Sequence, residues 1–162
     1  MTANTGRTVF KYVTMNVDDS GSTLRTIPIS GLSVVGLVYD EVADVIAWQD
    51  AVKSALPGQP DAPIEVSGPW DTTAAQSAGT LSGSHTILSG LPGLMTPLTV
   101  DIKFGVRHTW EADEPQFGIT ATAANGYVCT SYTVDPGTMT YSARFVLYPG
   151  SAAPAWGVAA ET

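Results

Sequence analysis

The side chains that could do bond chemistry are few and poorly grouped for it. The 162 residues hold two histidines and one cysteine. His85 sits in a Ser/Gly loop, and His108 follows Arg107 near a strand end. Neither has a second His or Cys at the spacing a zinc site requires, so both read as solvated or loop-bonding residues. Carboxylates cluster at Asp18-Asp19, Asp40-Glu41-Asp44 and Glu111-Asp113-Glu114. A calcium loop needs alternating oxygen ligands around a glycine and a later bidentate Glu. Asp18-Asp19-Ser20-Gly21 lacks that spacing and reads as a hairpin turn. Glu111 and Glu114 could flank a substrate as an acid/base pair, but so could any two loop acids. Nucleophile-elbow, phosphate-loop, dinucleotide and HExxH patterns are absent from the sequence. There is no positive reason to read an enzyme, and no cofactor or metal is expected.

Cys129 lies in the apolar run Tyr127-Val128-Cys129 and reads as a buried small hydrophobe. A lone cysteine leaves no intramolecular disulfide. Fifteen acidic residues against seven scattered basic ones give a formal charge of −8. That balance argues against a nucleic-acid binder, because phosphate contacts need clustered Lys and Arg. The hydrophobic fraction of 44% supplies a real core, and the length suits one domain over 1–162. No stretch approaches the ~18 consecutive apolar residues of a membrane span, and the start of the chain has no signal-peptide pattern. A soluble protein made in a cytoplasm is the expectation.

These residues would be positioned mainly by strands. Val9 to Val17 and Thr23 to Ile29 read as a hairpin, with Ser33 to Tyr39 as a third strand. Asp44 can cap a helix whose apolar positions Val45, Trp48, Val52, Ala55 and Leu56 follow steps of three and four, stopped by Pro57-Gly58. At about 12 residues, that helix must pack its Trp48 face on a sheet to be stable. Pro63 to Gly68 is a short strand. Leu98, Val100, Ile102 and Phe104 alternate with polar residues as a half-buried antiparallel strand. Gln116 to Ala123, Tyr127 to Val134 and Thr138 to Tyr148 complete the set, the last two joined at Asp135-Pro136-Gly137. The N-terminal arm (1–7), the small-residue loop (69–85) and an Ala/Gly/Pro-rich flexible tail (149–162) lie outside this frame. The expected fold class is mainly β, a sandwich or barrel-like domain with one short α-helix packed on it.

The stretch Tyr39-Asp40-Glu41-Val42-Ala43-Asp44-Val45 through Gly58, followed by Ile64 to Asp71, resembles the middle of bacteriophage major tail, or tail tube, proteins. In that family a strand enters an acidic, valine-containing link, then a short amphipathic helix and a glycine. The next strand ends in Ser-Gly, an aromatic residue and Asp, here Ser67-Gly68-Pro69-Trp70-Asp71. Phe117-Gly118-Ile119 opens the later strands in similar order. Two departures are the missing threonine in Asp44-Val45-Ile46-Ala47 and the intervening Pro69.

The resemblance implies a virion structural subunit of a long-tailed phage, assembled in the bacterial host cytoplasm. Its partners would be copies of itself in stacked, hexameric rings, together with other tail proteins. DNA would pass through the lumen without specific binding, and no membrane would be involved. Edge strands of neighbouring subunits would pair to close an inner barrel. Trp70, Asp71, His85, Trp110 and Trp156 are the candidate inter-subunit contacts. Asp18, Asp19, Asp40, Glu41 and Asp101 are the candidate lumen charges, since an acidic wall repels phosphate. Two alternatives stand beside it. One is a head decoration or other virion structural protein. The other is a non-catalytic ligand-binding β-sandwich with Trp70, Trp110 or Trp156 as a stacking platform.

Overall fold

The computed structural model describes residues 6–33, 35–42, 56–106 and 109–159. Among the described residues the protein is mainly β, with three antiparallel sheets, one short α-helix and no closed barrel. In chain order, β1 (Val13–Asp18) and β2 (Leu24–Ile27) form a hairpin, followed by β3 (Gly31–Leu32) and β4 (Val38–Val42). Then come β5 (Leu56–Asp61), β6 (Ile64–Pro69), the helix α1 (Ser84–Leu88) and β7 (Val100–Phe104). The chain ends with β8 (Pro115–Ile119), β9 (Tyr127–Asp135), β10 (Thr140–Leu147) and β11 (Ala155–Val158). The first sheet has the order β11-β8-β7-β1-β2, the second β3-β6-β10-β9, and β4-β5 pair alone.

Two-residue periodicity explains why the large sheets face each other. Met15 and Val17 of β1 lie opposite Ile102 and Val100 of β7, and Ile102 lies opposite Phe117 of β8. From the second sheet, Ile64, Val66, Tyr141, Ala143 and Phe145 join the same core. Buried and more exposed residues alternate along β6 and along most of β10, the signature of sheets wet on one side. Only Pro28 to Ser30 separates β2 from β3, so the chain steps directly from one sheet to the other. Leu32 of β3 shares an apolar groove with Val13, Phe104 and Trp156, which lays β3 across one end of the first sheet. Near the other end, Leu98 and Tyr127 exchange backbone hydrogen bonds of 2.8 and 2.9 Å.

The first hairpin turn is built by its aspartate. Asp19 Oδ1 accepts from the N–H groups of Gly21 (2.9 Å) and Thr23 (3.0 Å), and Arg25 Nε donates to Oδ2 at 2.9 Å. Burial pulls the Asp19 pKa up, but these hydrogen bonds and the Arg25 charge bring it below its ordinary value.

Several boundaries differ from the sequence expectation. Phe10–Tyr12 is a 3-10 turn, so the first strand begins at Val13. Of the third strand expected over Ser33 to Tyr39, only Val38 and Tyr39 are strand, as the start of β4; Gly36 at φ 139 precedes them, and the short β3 lies just before the expected range. The helix expected from Asp44 falls outside the described residues, except that Leu56, Pro57 and Gly58 belong to β5. His108 is also outside them. The tail expected to be flexible contributes β11, paired to β8 through Trp156↔Phe117 and its neighbours.

Loop 69–85 is not a loose excursion. Gly83 N–H donates to Thr73 O at 3.0 Å, and His85 N–H to Asp71 O at 2.9 Å. Ser82, Gly83 and Ser84 are buried. Small residues let two backbone runs meet directly, so hydrogen bonds hold this strap where large side chains would hold a core segment. A Cβ added to Gly83 would lie 2.5 Å from Thr73 N and 2.6 Å from Thr73 O, so only glycine fits there.

Cys129 is 3% exposed, its Sγ–H donates to Ser131 O, and burial pushes the thiol up to about 11. Iodoacetamide near neutral pH is therefore expected to leave the native protein unlabelled and to alkylate it fully in denaturant. Intact-mass analysis checks this. Rapid labelling of the native protein would place Cys129 at an accessible surface instead.

Candidate functional site

A sheet edge presents unpaired N–H and C=O groups, and monomeric proteins guard such edges. Two of the four edges of the large sheets are guarded here. The strap covers β2: Ser82 N–H donates to Thr26 O (2.8 Å), Gly79 N–H to Thr26 Oγ1 (2.9 Å), and Arg25 Nη1 to Gln76 O (2.7 Å). The β3 edge is two residues long.

Among the described residues, the other two edges are open. Beyond Tyr127, which bonds Leu98, β9 has no further strand beside it among the described residues. Its last residues are exposed apart from the half-buried Tyr132. The outer strand β11 is exposed along its length, with Trp156 53% and Val158 60% accessible. Neither open run carries Lys, Pro or a central charge of the kind that deters pairing, since Asp135 stands only at the end of β9.

Each open edge has an aromatic support. At β9, His85 Nδ1 lies 3.1 Å from the Tyr132 hydroxyl, and the His85 ring packs between Trp70 (5.3 Å between centroids) and Tyr132 (5.9 Å). Burial raises the Tyr132 pKa, partly offset by a hydrogen bond from the Trp70 side chain. Tyr132 also packs on Tyr141, whose hydroxyl donates to Pro28 O at 2.6 Å. The strap thus brings Trp70 and His85 together. Asp71 closes its own turn, accepting from Thr73 N–H (2.8 Å) and Thr73 Oγ1–H (2.7 Å), bonds that hold its pKa below the usual value. Sequence reading missed Tyr132, because a tyrosine in a polar alternating strand gives no sign of what the strap will lay against it.

At β11, Trp156 packs on Phe117 (5.0 Å) and Phe104 (5.6 Å). It borders an open apolar groove of about 290 Å³ lined also by Phe10, Val13, Leu32 and Val35. Trp110 stands apart from both groups, with Lys103 Nζ 3.7 Å from its ring centroid. That cation–π contact accounts for Trp110 within one subunit.

The candidate lumen acids divide differently from the expectation. Asp18 and Asp101 are 5% and 8% exposed, so neither presents a charge to a channel. Asp18 Oδ2 accepts from Thr99 N–H at 2.9 Å. Asp101 Oδ1 accepts from Asn16 Nδ2 at 2.7 Å, and Asn16 Oδ1 accepts from the Thr26 hydroxyl at 2.5 Å. This ladder crosses β7, β1 and β2 on the face away from the core. Burial raises the Asp101 pKa, against the Asn16 bond and the Lys103 charge, with Asp18 adding to the rise. Asp19 is tied to Arg25. Asp40 and Glu41 lie in β4, outside the residues whose side chains are described.

Glu114, one of the acids considered for general acid/base work, is buried and accepts from Glu111 N–H at 2.9 Å, closing a turn. The arrangement offers hydrogen-bonding edges and apolar anchors. Compared with known proteins, the chain matches no family model and no curated protein sequence.

Proposed function

We propose that this chain is a self-assembling structural subunit of the tail-tube kind, forming stacked, hexameric rings that enclose a passage for DNA. The observation that carries the proposal is the pair of open edges, β9 and β11, in two large sheets whose other two edges are guarded. An edge left bare in a soluble protein is an aggregation hazard unless a partner covers it. A ring of identical subunits covers both edges on every copy. The tail-tube resemblance and the mainly β fold fit this reading. The net charge of −8 suits a wall that DNA passes without gripping. With Asp18 and Asp101 buried, the lumen charge falls to other acids.

A stacking platform for a small ligand has less support, because Trp70, Trp110 and Trp156 each pack against a side chain of their own subunit. Negative-stain electron microscopy over a range of concentrations tests the proposal. Rings or hollow tubes are the expected result. Monodisperse small particles at every concentration would overturn it.

A further inference from the structure

We propose that the contact between copies is head-to-tail, with β11 of one subunit adding to the open edge of β9 on the next. This rests on the self-assembly reading and names the surfaces that perform it. Three observations carry it.

The first is placement. The strap and α1 sit on the β2 side, and β9 packs on α1 through Tyr132 and His85. β11 is the far edge of the same five-stranded sheet, four strand spacings from β2. At ~4.8 Å per spacing, that is roughly 19 Å. The two edges therefore serve different neighbours.

The second is the match of faces. In β9, Tyr132 and Val134 lie opposite Ala143 and Tyr141, so they share the core-side face of their sheet. In β11, Trp156 lies opposite Phe117 and Val158 opposite Pro115, on the core-side face of theirs. Laid edge to edge, the exposed Trp156 and Val158 extend the apolar strip of Tyr132 and the 37% exposed Val134. On the reverse face, Ala155 and Gly157 meet Ser131 and Thr133. Small residues thus face hydroxyls, and no charge is buried. A shift of one residue would set apolar against polar along the whole contact, so the pattern also fixes the register parity.

The third is coverage. Pairing β9 with β9, or β11 with β11, makes a closed dimer and leaves the other edge bare. Pairing β9 with β11 consumes both and continues from subunit to subunit.

Two surface variants test this without opening the core: Val134→Lys and Val158→Lys, each checked for an unchanged melting temperature. Sedimentation velocity of wild type, each variant and their equimolar mixture is the measurement. Wild type is expected to assemble, and each variant alone to remain monomeric at concentrations at least tenfold above the wild-type threshold.

The mixture is expected to give one-to-one dimers and nothing larger. The intact β11 of the Val134→Lys chain meets the intact β9 of the Val158→Lys chain, and the remaining two edges are blocked. Wild type that assembles alongside equally competent variants would overturn the β9–β11 contact and leave the self-assembly reading standing. Assembly blocked by one variant alone would replace head-to-tail pairing with a two-fold contact. A mixture that stays monomeric would also overturn it. Wild type that never assembles would overturn the self-assembly reading itself.

Discussion

Phe117→Ala is expected to destabilise the domain by about 3–5 kcal/mol, the range for emptying a buried phenylalanine site. Phe117 is fully buried, lies opposite Ile102 of β7 and Trp156 of β11, and meets the Trp156 ring at 5.0 Å. The cavity would open where the central strands hand over to the edge strand. For a domain of this size, the loss corresponds to a melting temperature lower by roughly 6–20 °C. It should also undermine assembly, because Trp156 would lose the ring that supports it. Phe10→Ala, at a side chain 43% exposed, is the control and should cost less than about 1 kcal/mol. Denaturant unfolding of both variants measures the difference. A Phe117→Ala loss as small as that of Phe10→Ala would mean that Phe117 does not fill the core.

Asn16→Ala is the second large effect, expected at about 2–6 kcal/mol. One substitution strips a buried hydroxyl of its acceptor and a buried carboxylate of its donor, each loss worth ~1–3 kcal/mol. The effect should depend on pH with a definite sign. Burial raises the folded pKa of Asp101, so the native state holds its proton more tightly than the unfolded chain does. Below the unfolded value of ~3.9 both states are protonated; as pH rises through the folded pKa, stability falls.

The Asn16 N–H moderates that fall. Removing it raises the Asp101 pKa further, so Asn16→Ala should be more damaging near neutrality than in mild acid. Asp19, whose pKa is depressed, gives the opposite slope: its contribution is present above ~3.9 and lost as pH drops through its folded value. Comparing variant with wild type at each pH cancels that term. Asp101→Asn keeps an acceptor for Asn16 and removes the buried charge, so it should cost less than Asn16→Ala and flatten the profile. Thermal melts across this range test the set. A penalty for Asn16→Ala independent of pH would show that the Asn16–Asp101 bond does not control the carboxyl.

Elements written by large side chains were legible in the sequence. The alternation Val100-Asp101-Ile102-Lys103-Phe104 became β7, and Ala143, Phe145 and Leu147 lie on the face that β10 turns inward. The Asp19 turn and the buried Cys129 follow from local chemistry alone. What escaped was held by backbone. β11 is four residues containing alanine and glycine, and only its partner β8 makes it a strand. The strap looked too poor in large side chains to build a core of its own, yet Ser82, Gly83 and Ser84 bury themselves through close backbone contact.

The candidate site divided the same way. Trp156 could be singled out because a large apolar residue in a small-residue tail needs a partner. Tyr132 could not, because its role comes from the strap. Asp18 and Asp101 read as surface charges because a sequence shows an acid and not the Asn16, Thr26 and Thr99 groups that fold brings to it.

The long reach of that ladder sets a timetable for synthesis. Asn16 and Asp101 are 85 residues apart, and β1 has no partner on its β7 side until that much more chain exists. At ~5–20 residues per second, the nascent hairpin β1–β2 would wait roughly 4–17 s with one edge bare. During that interval Asn16, Asp18 and Thr26 keep one of its faces hydrophilic. The polar residues later buried on the outer face of the finished sheet thus double as a solubility device for an unfinished one. Replacing them all with apolar residues could therefore yield a domain that is stable once made but is lost to aggregation on the ribosome.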